Sequence, residues 1–516
     1  MRELGIFTDG TICAPATIPG TGAISIIRVS GEDSLAIADK VIDVKGESLS
    51  ETEGYRLRYG TIFADDGSVL DNVIVSVFRA PHSYTGENSV EISCHASRFI
   101  VNAVLELLVN AGARIAAPGE FTRRAFVNGK MDLAQAEAVA DVIASQSAAS
   151  HKVAMNQLKG GFSSELRVLR EKLLTMTSLL ELELDFSEED VEFASRSELG
   201  ALVEETLTHI VRLTDSFSRG NAIKNGVPVA IVGATNTGKS TLLNALLGEE
   251  RAIVSDIAGT TRDTIEETLN LGGVMFRFID TAGIRETDEV VEKIGIERTF
   301  RKLNEASIVL GMTDLSRGED AVLADAEYIW DKVNASSSDR EFVLLVNKCD
   351  VDGIESVAAG FAGAGSEVGA GTGSRGGYVE TGFKAGSEAG YADKAGKMAR
   401  IEAAMREKGI VIKMVPISAK TGSGLPELTE TLAEIGRRIT GDTDETLVTN
   451  IRHYEALVRA ATALVRVQDG LKVAMLPPDL IAQDLREALY HLGEIVGEIS
   501  TDEVLENIFR KFCIGK

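Results

Sequence analysis

The sequence predicts a multidomain protein: an α+β N-terminal domain, an all-α helical domain, and an α/β domain inserted into the helical one. Three observations carry this expectation. At 516 residues the chain is longer than one hydrophobic core ordinarily supports. Helix-type periodicity flanks a central block in which strand and helix patterns alternate. That block opens on Gly233-Ala-Thr-Asn-Thr-Gly-Lys-Ser240, a G-x-x-x-x-G-K-[ST] run set between an apolar strand pattern and a helix pattern.

Residues 1–130 read as the α+β part. Short β-type runs (Ala23 to Val29, Tyr55 to Phe63, Val73 to Phe78, Ser89 to Ser93) are broken by Gly, Pro and Asn, and a helical run follows from Phe99 to Val109. Residues 131–221 form the first part of the helical domain, with helix patterns at Asp132 to Ser147 and Leu166 to Leu184. The acidic stretch Asp185 to Glu192 reads as a solvated helix boundary rather than a cation site. Residues 222–440 alternate strands and helices. Residues 441–516 complete the helical domain with Ile451 to Val467, Pro478 to Val496 and Asp502 to Phe512. An insertion whose ends leave a host surface close together accounts for this order. Thirteen of the 50 glycines fall between Gly353 and Gly396, which predicts a flexible insertion over about 353–396.

The phosphate loop implies a nucleoside triphosphate. Gly233 and Gly238 permit a tight turn whose N–H groups surround phosphates, Lys239 reaches the β/γ oxygens, and Ser240 offers a hydroxyl to Mg²⁺. Asn347-Lys348-Cys349-Asp350 follows the apolar run Phe342 to Val346. A carboxylate there accepts from guanine N1–H and the 2-amino group, for which adenine has no matching donors, so GTP is favoured over ATP. Asp280-Thr281-Ala282-Gly283 ends the run Val274 to Ile279, placing Asp280 to bind Mg²⁺ through water and Gly283 to sense the γ-phosphate. Gly259-Thr260-Thr261-Arg262-Asp263 supplies Thr261 for the metal, and Ser418-Ala419-Lys420 backs the base. Each tetrapeptide alone is weak, but five in order at strand–loop junctions are not coincidence.

Signalling GTPases often carry Gln after the glycine of D-x-x-G to orient the attacking water. Here Ile284 stands there, so another group must position the water and offset the transition-state charge. The candidates are Arg262, Arg285, Glu286, Asp288, Glu289 and Glu292. Asn236 either helps hold a monovalent cation beside the phosphates or only shapes the loop.

Composition bounds the remainder. Hydrophobic content of 44% with 25% charged residues is that of a globular chain, and no apolar run reaches membrane-spanning length. The N-terminus shows no export signal. Cys13, Cys94, Cys349 and Cys513 lack C-x-x-C spacing, which predicts neither disulfides nor zinc and a cytoplasmic location. With a net charge of −25, any nucleic-acid partner must be held by local basic patches or by a second protein.

Several motifs carry a resemblance to one family over nearly the whole chain: Ile26-Ile-Arg-Val-Ser-Gly31, Ala80-Pro-His-Ser-Tyr-Thr-Gly-Glu87, Pro118-Gly-Glu-Phe-Thr-Arg-Arg-Ala-Phe126, Asn128-Gly-Lys-Met-Asp-Leu-Ala-Gln-Ala-Glu137, Asp256-Ile-Ala-Gly-Thr-Thr-Arg-Asp263 and the terminal Phe512-Cys-Ile-Gly-Lys516. The chain resembles the bacterial tRNA modification GTPases of the MnmE (TrmE) family. The resemblance implies a tetrahydrofolate-binding N-terminal domain, a helical domain and a GTPase inserted into it. It implies a homodimer formed through the N-terminal domains and a heterotetrameric complex with the flavoprotein MnmG. That complex places an aminomethyl or carboxymethylaminomethyl group on C5 of tRNA wobble uridines, using a tetrahydrofolate derivative (the 5,10-methylene or 5-formyl form). K⁺ activates the family's GTPase.

Carried onto this chain, the resemblance makes Asn236, Ser255, Ile257 and Thr260 the K⁺ ligands, which favours the cation reading of Asn236. Ser240 and Thr261 would hold Mg²⁺. The nucleotide would be contacted by Asn236, Thr237, Gly238, Lys239, Ser240 and Thr241, by Ser255, Asp256, Ile257, Ala258, Gly259, Thr260 and Thr261, by Asp280, Thr281, Ala282 and Gly283, and by Asn347, Lys348, Asp350, Ser418, Ala419 and Lys420. Glu292 matches a catalytic glutamate acting through a bridging water, and Arg262 a switch arginine. Folate would contact Arg28, Glu91 and Lys130, with Lys516 nearby: cations suit its glutamate tail and a carboxylate its pterin donors. Cys513 lies where the family places a cysteine beside that site. An inert buried thiol is the ordinary alternative, and its fit to a prenylation box is poor.

The sequence departs from the family in four places. Gly-Ala-Thr-Asn-Thr replaces the frequent Gly-Arg-Pro-Asn-Ala, Ser255 replaces Thr, Cys94-His-Ala-Ser97 replaces a usual His-Gly-Gly, and the glycine-rich insertion is not a family hallmark. The competing expectation is a GTPase switch in ribosome or RNA assembly, which would instead carry an RNA-binding module.

Overall fold

The computed structural model describes residues 10–185, 196–251, 267–279, 305–334, 340–350, 387–441, 445–472, 478–499, 502–510, 512 and 515. The chain divides into two compact units. One comprises Met1–Ser145, His151–Phe217 and Thr446–Lys516, the other Gln146–Ser150 and Ser218–Glu445.

The first unit opens with β1 (Ile12–Pro15), β2 (Gly22–Ser30), α1 (Ser34–Val41), β3 (Ile42–Val44), β4 (Arg56–Phe63), β5 (Val69–Phe78), β6 (Ser89–Ala96), α2 (Arg98–Asn110), β7 (Arg114–Ile115) and α3 (Glu120–Val127). Seven strands join in the order β3-β4-β5-β6-β2-β1-β7. All neighbours are antiparallel except β1 and β7. Period-two alternation explains the layer: β5 buries Val73, Val75 and Val77 and turns Asn72 and Ile74 to solvent. The buried face meets Val104 and Leu108 of α2 in one core with Ile27, Val29, Val90 and Ile92. The four longer strands and α2 lie where the apolar runs predict them. The short β1, β3 and β7 offered too few residues for a period to register.

The helical part begins with α4 (Leu133–Ala144), α5 (Ala148–Leu158), α6 (Gly161–Asp185) and α7 (Arg196–Asp215). Helix α4 starts where a capping box fixes it. Asp132 Oδ1 accepts from Gln135 N at 2.8 Å, and Gln135 Oε1 accepts from Asp132 N at 2.9 Å. The acidic stretch after Asp185 lies outside the described residues.

The second unit contains α8 (Phe217–Asn225), β8 (Val227–Gly233), α9 (Lys239–Arg251), β9 (Glu267–Leu271), β10 (Val274–Ile279), β11 (Ile308–Asp314), α10 (Glu319–Asn334), β12 (Glu341–Asn347), α11 (Ser387–Glu407), β13 (Lys413–Pro416) and α12 (Leu425–Thr440). Its six-stranded sheet runs β13-β12-β11-β8-β10-β9, with only β9 antiparallel to its neighbour. Helices on both faces leave the central strands nearly all buried, so they read as continuous apolar runs, and two cores form on opposite sides. One expectation is corrected here. Helix α11 begins at Ser387, inside the stretch 353–396 expected to be a flexible insertion. From Glu388 onward Ala, Lys, Asp and Met displace the Gly-Ser pattern, and their helix propensity carries Gly390 and Gly396 along. Residues 351–386 lie outside the described set.

The chain then returns to the first unit with α13 (Ile451–Lys472), α14 (Pro478–Val496) and α15 (Asp502–Phe509). Helix α13 packs on α7 and α14, and α14 on α6. The shared core includes Leu166, Leu173, Val203, Ile210, Leu457, Leu464, Leu485 and Leu492. Each such leucine contributes about 2 kcal/mol by leaving water. A buried polar node ties the two sequence halves together: Arg452 Nε and Nη2 donate to Glu137 at 3.1 and 2.9 Å, and His453 Nε2 lies 2.6 Å from Glu137 Oε2. Phe509 and Phe512 close over Phe126, Leu133 and Ala136.

Candidate functional site

In the second unit the phosphate loop joins the end of β8 to Lys239, the first residue of α9. Asn236 has φ +64°, an uncommon conformation that Asn tolerates better than most residues, and its side chain is exposed. A side chain at Gly233 would collide with the Met312 carbonyl, and one at Gly238 with the Asn347 amide. The loop therefore stays narrow and its backbone accessible. Thr237 is buried and donates to Ala234 O at 2.9 Å. Lys239 Nζ donates to Gly233 O and Ala234 O at 2.9 and 2.8 Å, filling the loop with its own ammonium, and burial pulls its pKa below the ordinary value. Ser240 and Thr241 occupy the first turn of α9, where helix N–H groups favour an anion.

The base-side loops meet this one through Asn347. Its Nδ2 donates to Thr237 O at 2.6 Å and its Oδ1 accepts from Ala419 N at 3.0 Å. Asp350 Oδ1 accepts from Ser418 Oγ at 2.8 Å, while Ile417 N donates to Val346 O at 2.9 Å. Lys348, at φ +63°, donates to Asp314 Oδ2 at 2.6 Å, and Lys420 is exposed. Thus Asn236 through Thr241, Asn347, Lys348, Asp350, Ser418, Ala419 and Lys420 are drawn into one region by three strand ends. Ser255 through Arg262, Asp280 through Gly283 and Glu292 lie outside the described residues. Asp314 is a member of this cluster that no motif announced. It stands at the end of a fully buried strand whose sequence, broken by Gly311 and Thr313, offers no signal of its own.

In the first unit, Arg28 and Glu91 face each other across β2 and β6, with Arg28 Nε and Nη2 at 2.9 and 2.8 Å from Glu91 Oε1. The Arg28 guanidinium lies 5.1 Å from the Tyr84 ring centre and 5.6 Å from that of Phe121. Tyr84 also lines a cavity of about 270 Å³ with Tyr55, Phe78, His82, Ser83 and Lys130. Lys130 Nζ donates to Pro81 O at 3.0 Å. Tyr84, unremarked in the sequence beyond its motif, is thus the bridge between the ion pair and Lys130. The substituted Cys94-His95 segment is anchored by Asp71, which accepts from His95 N at 2.8 Å and lies 2.7 Å from His95 Nδ1. Burial pushes the Cys13 thiol up to about 11. Burial, with Asp71 nearby, does the same for Cys94, so neither is a thiolate at neutral pH. Cys513 and Lys516 lie outside the described residues. Between them Gly515, at φ +100°, is buried against the carbonyl of Pro15 at the end of β1. Among the described residues no group of three or more metal-type ligands gathers, and no helix is long and apolar enough to cross a membrane.

A parallel sheet with one antiparallel edge strand, a glycine-gated loop before a helix, and a loop presenting Asp350 define a phosphate-loop nucleotide-binding protein of the guanine-nucleotide type. The family model described as the MnmE helical domain matches residues 133–513, and the one described as the GTP-binding protein TrmE N-terminus matches residues 11–130. The tRNA modification GTPase MnmE of Parabacteroides distasonis is 48% identical over 510 residues, covering 98% of this chain and 100% of that protein. The proteins of the same name from Bacteroides fragilis strain YCH46 (49% over 508 residues; 98% and 99% covered) and Porphyromonas gingivalis (45% over 520 residues; 100% of both) are similarly alike. The chain belongs to the MnmE (TrmE) family.

Proposed function

We propose that this chain is a GTP hydrolase acting in tRNA modification. The observation that carries the nucleotide reading is Asn347, whose single side chain joins the phosphate loop at Thr237 to the base-side loop at Ala419. A nucleotide spanning both loops meets a pre-set frame, which lowers the ordering cost of binding. Lys239 exchanges its loop carbonyls for phosphate oxygens, and Asp350, already oriented by Ser418, accepts the guanine donors. Mg²⁺ at Ser240 and Thr261, and K⁺ at Asn236, Ser255, Ile257 and Thr260, supply positive charge against the phosphates. Glu292 and Arg262 are assigned to water positioning and charge compensation in place of the absent glutamine.

Within the first unit, Arg28, Glu91 and Lys130 gather around Tyr84, a donor and acceptor set that suits a tetrahydrofolate derivative with an acidic tail. Lys516 is assigned to the same site. That cofactor supplies the one-carbon unit for wobble uridine C5, and Cys513 serves the carbon chemistry. The protein works as a homodimer with an MnmG-type flavoprotein on tRNA in the cytoplasm. The domains are 1–130 for folate, 131–221 with 441–516 for the helical part, and 222–440 for the GTPase.

GTP hydrolysis measured in K⁺ and in Na⁺, then repeated with Asn236→Ala, tests the reading. Faster hydrolysis in K⁺, lost in the variant, supports it. Equal rates in both salts would sink the cation mechanism, and no hydrolysis of GTP in either would sink the enzyme.

A further inference from the structure

The parallel register of β11 and β12 sets Asp314 opposite Asn347, the residue before Lys348. Lys348 then turns into the left-handed region, φ +63°, and its ammonium returns to Asp314 Oδ2 at 2.6 Å. The other carboxylate oxygen accepts from Ser316 N and Ser316 Oγ at 2.9 and 2.6 Å. Asp314 is only 5% exposed, so its carboxylate is a fixed, fully engaged acceptor rather than a loose surface charge. Burial alone would raise its pKa, but the bonds from Lys348 and Ser316 hold it below the ordinary carboxylate value. Two residues beyond Lys348 stands Asp350, whose value to a guanine depends on a carboxylate left open to the base.

We infer that Asp314 is a positioning residue for base recognition: by tethering Lys348 it holds the strained turn and keeps that ammonium from neutralising Asp350. The inference rests on the guanine reading of this site. Asp314 touches no substrate and acts only through Lys348. Without it, the turn relaxes toward ordinary backbone angles, and the flexible lysine is free to turn toward the Asp350 carboxylate two residues on.

The test compares GDP with IDP, which lacks the 2-amino group, by equilibrium binding to the full-length protein and its Asp314→Asn variant. Asparagine keeps the size and the acceptor for Ser316 but not the charge that holds Lys348. The expected result is a fall of about ten-fold in the preference for GDP over IDP, the worth of one charge-assisted hydrogen bond. The double variant Asp314→Asn with Lys348→Ala should lose no more preference than Lys348→Ala alone, because the two residues act as one device. A merely structural Asp314 would weaken both nucleotides equally, and an unchanged GDP to IDP ratio in the variant would overturn the inference. Additive losses in the double variant would overturn it as well. If the unaltered protein failed to prefer GDP over IDP, the guanine reading itself would fall, which the wild-type measurement shows separately.

Discussion

The Asn347 side-chain amide donates to the Thr237 carbonyl at 2.6 Å across 110 residues of sequence, and its oxygen receives the Ala419 amide. Both the reader of the base and the binder of the phosphates hang on this one buried residue.

Asn347→Ala should therefore weaken GDP binding far more than loss of one base contact would. Two partners are left unsatisfied in a buried place, at a cost of about 2–5 kcal/mol, or one and a half to three and a half decades in Kd. Calorimetric titration checks the affinity. Substituting the exposed Lys420 by Met should leave this clamp intact, and a melting curve close to that of the unaltered protein is expected.

Acid should loosen the helical part through Glu137. Burial raises its pKa, but the charges and hydrogen bonds of His453 and Arg452 outweigh this and lower it from 4.5 to about 2. A depressed carboxyl stabilises the fold fully above its unfolded value and loses that contribution as pH falls from about 4.5 to about 2. The contribution is on the order of 3 kcal/mol. Denaturant midpoints measured across that window should drop, and Glu137→Gln should flatten the drop while lowering stability at neutral pH.

Gly515→Ala should separate the two activities. Its φ of +100° disfavours any Cβ, and that atom would also collide with the Pro15 carbonyl. On the proposed reading, this disturbs the tail that carries Cys513. GTP turnover should stay within about two-fold of the parent, while modified wobble uridine, read by nucleoside analysis of cellular tRNA, falls to the level of Cys513→Ser.

The proposed homodimer is expected to use the outer face of β4 and β5. Leu57, Tyr59 and Ile74 are all exposed there, and Tyr59 lies directly opposite Ile74 in the register. Tyr59→Glu puts a charge into that face and should yield monomers by light scattering, with the far-ultraviolet dichroism unchanged.

The sequence carried the second unit well where a chemical motif followed an apolar strand, as at Gly233, Asn347 and Ser418. A strand end is where side chains and backbone amides become available to a ligand. Strand β11 escaped because Gly311 and Met312 interrupt its branched residues and no motif follows, so Asp314 had nothing to mark it. Similarly, Arg28 and Glu91 were named only through the family resemblance, and their mutual pairing depended on the β2–β6 register, which a single sequence does not print. Helix α11 was hidden for the opposite reason: the glycine content upstream drowned the helix-forming residues from Glu388.

The Glu137 node has a consequence for how the chain is made. Its partner Arg452 lies 315 residues downstream. Helices α6 and α7 therefore leave the ribosome long before α13 and α14, the helices that cover their apolar faces, have been translated. The whole nucleotide-binding unit emerges in between. A chain stopped at residue 441 would hold all six strands of the second sheet but also two uncovered amphipathic helices. Such nascent or truncated chains are expected to engage chaperones or aggregate, and residues 442–516 act as the closing step of biosynthesis.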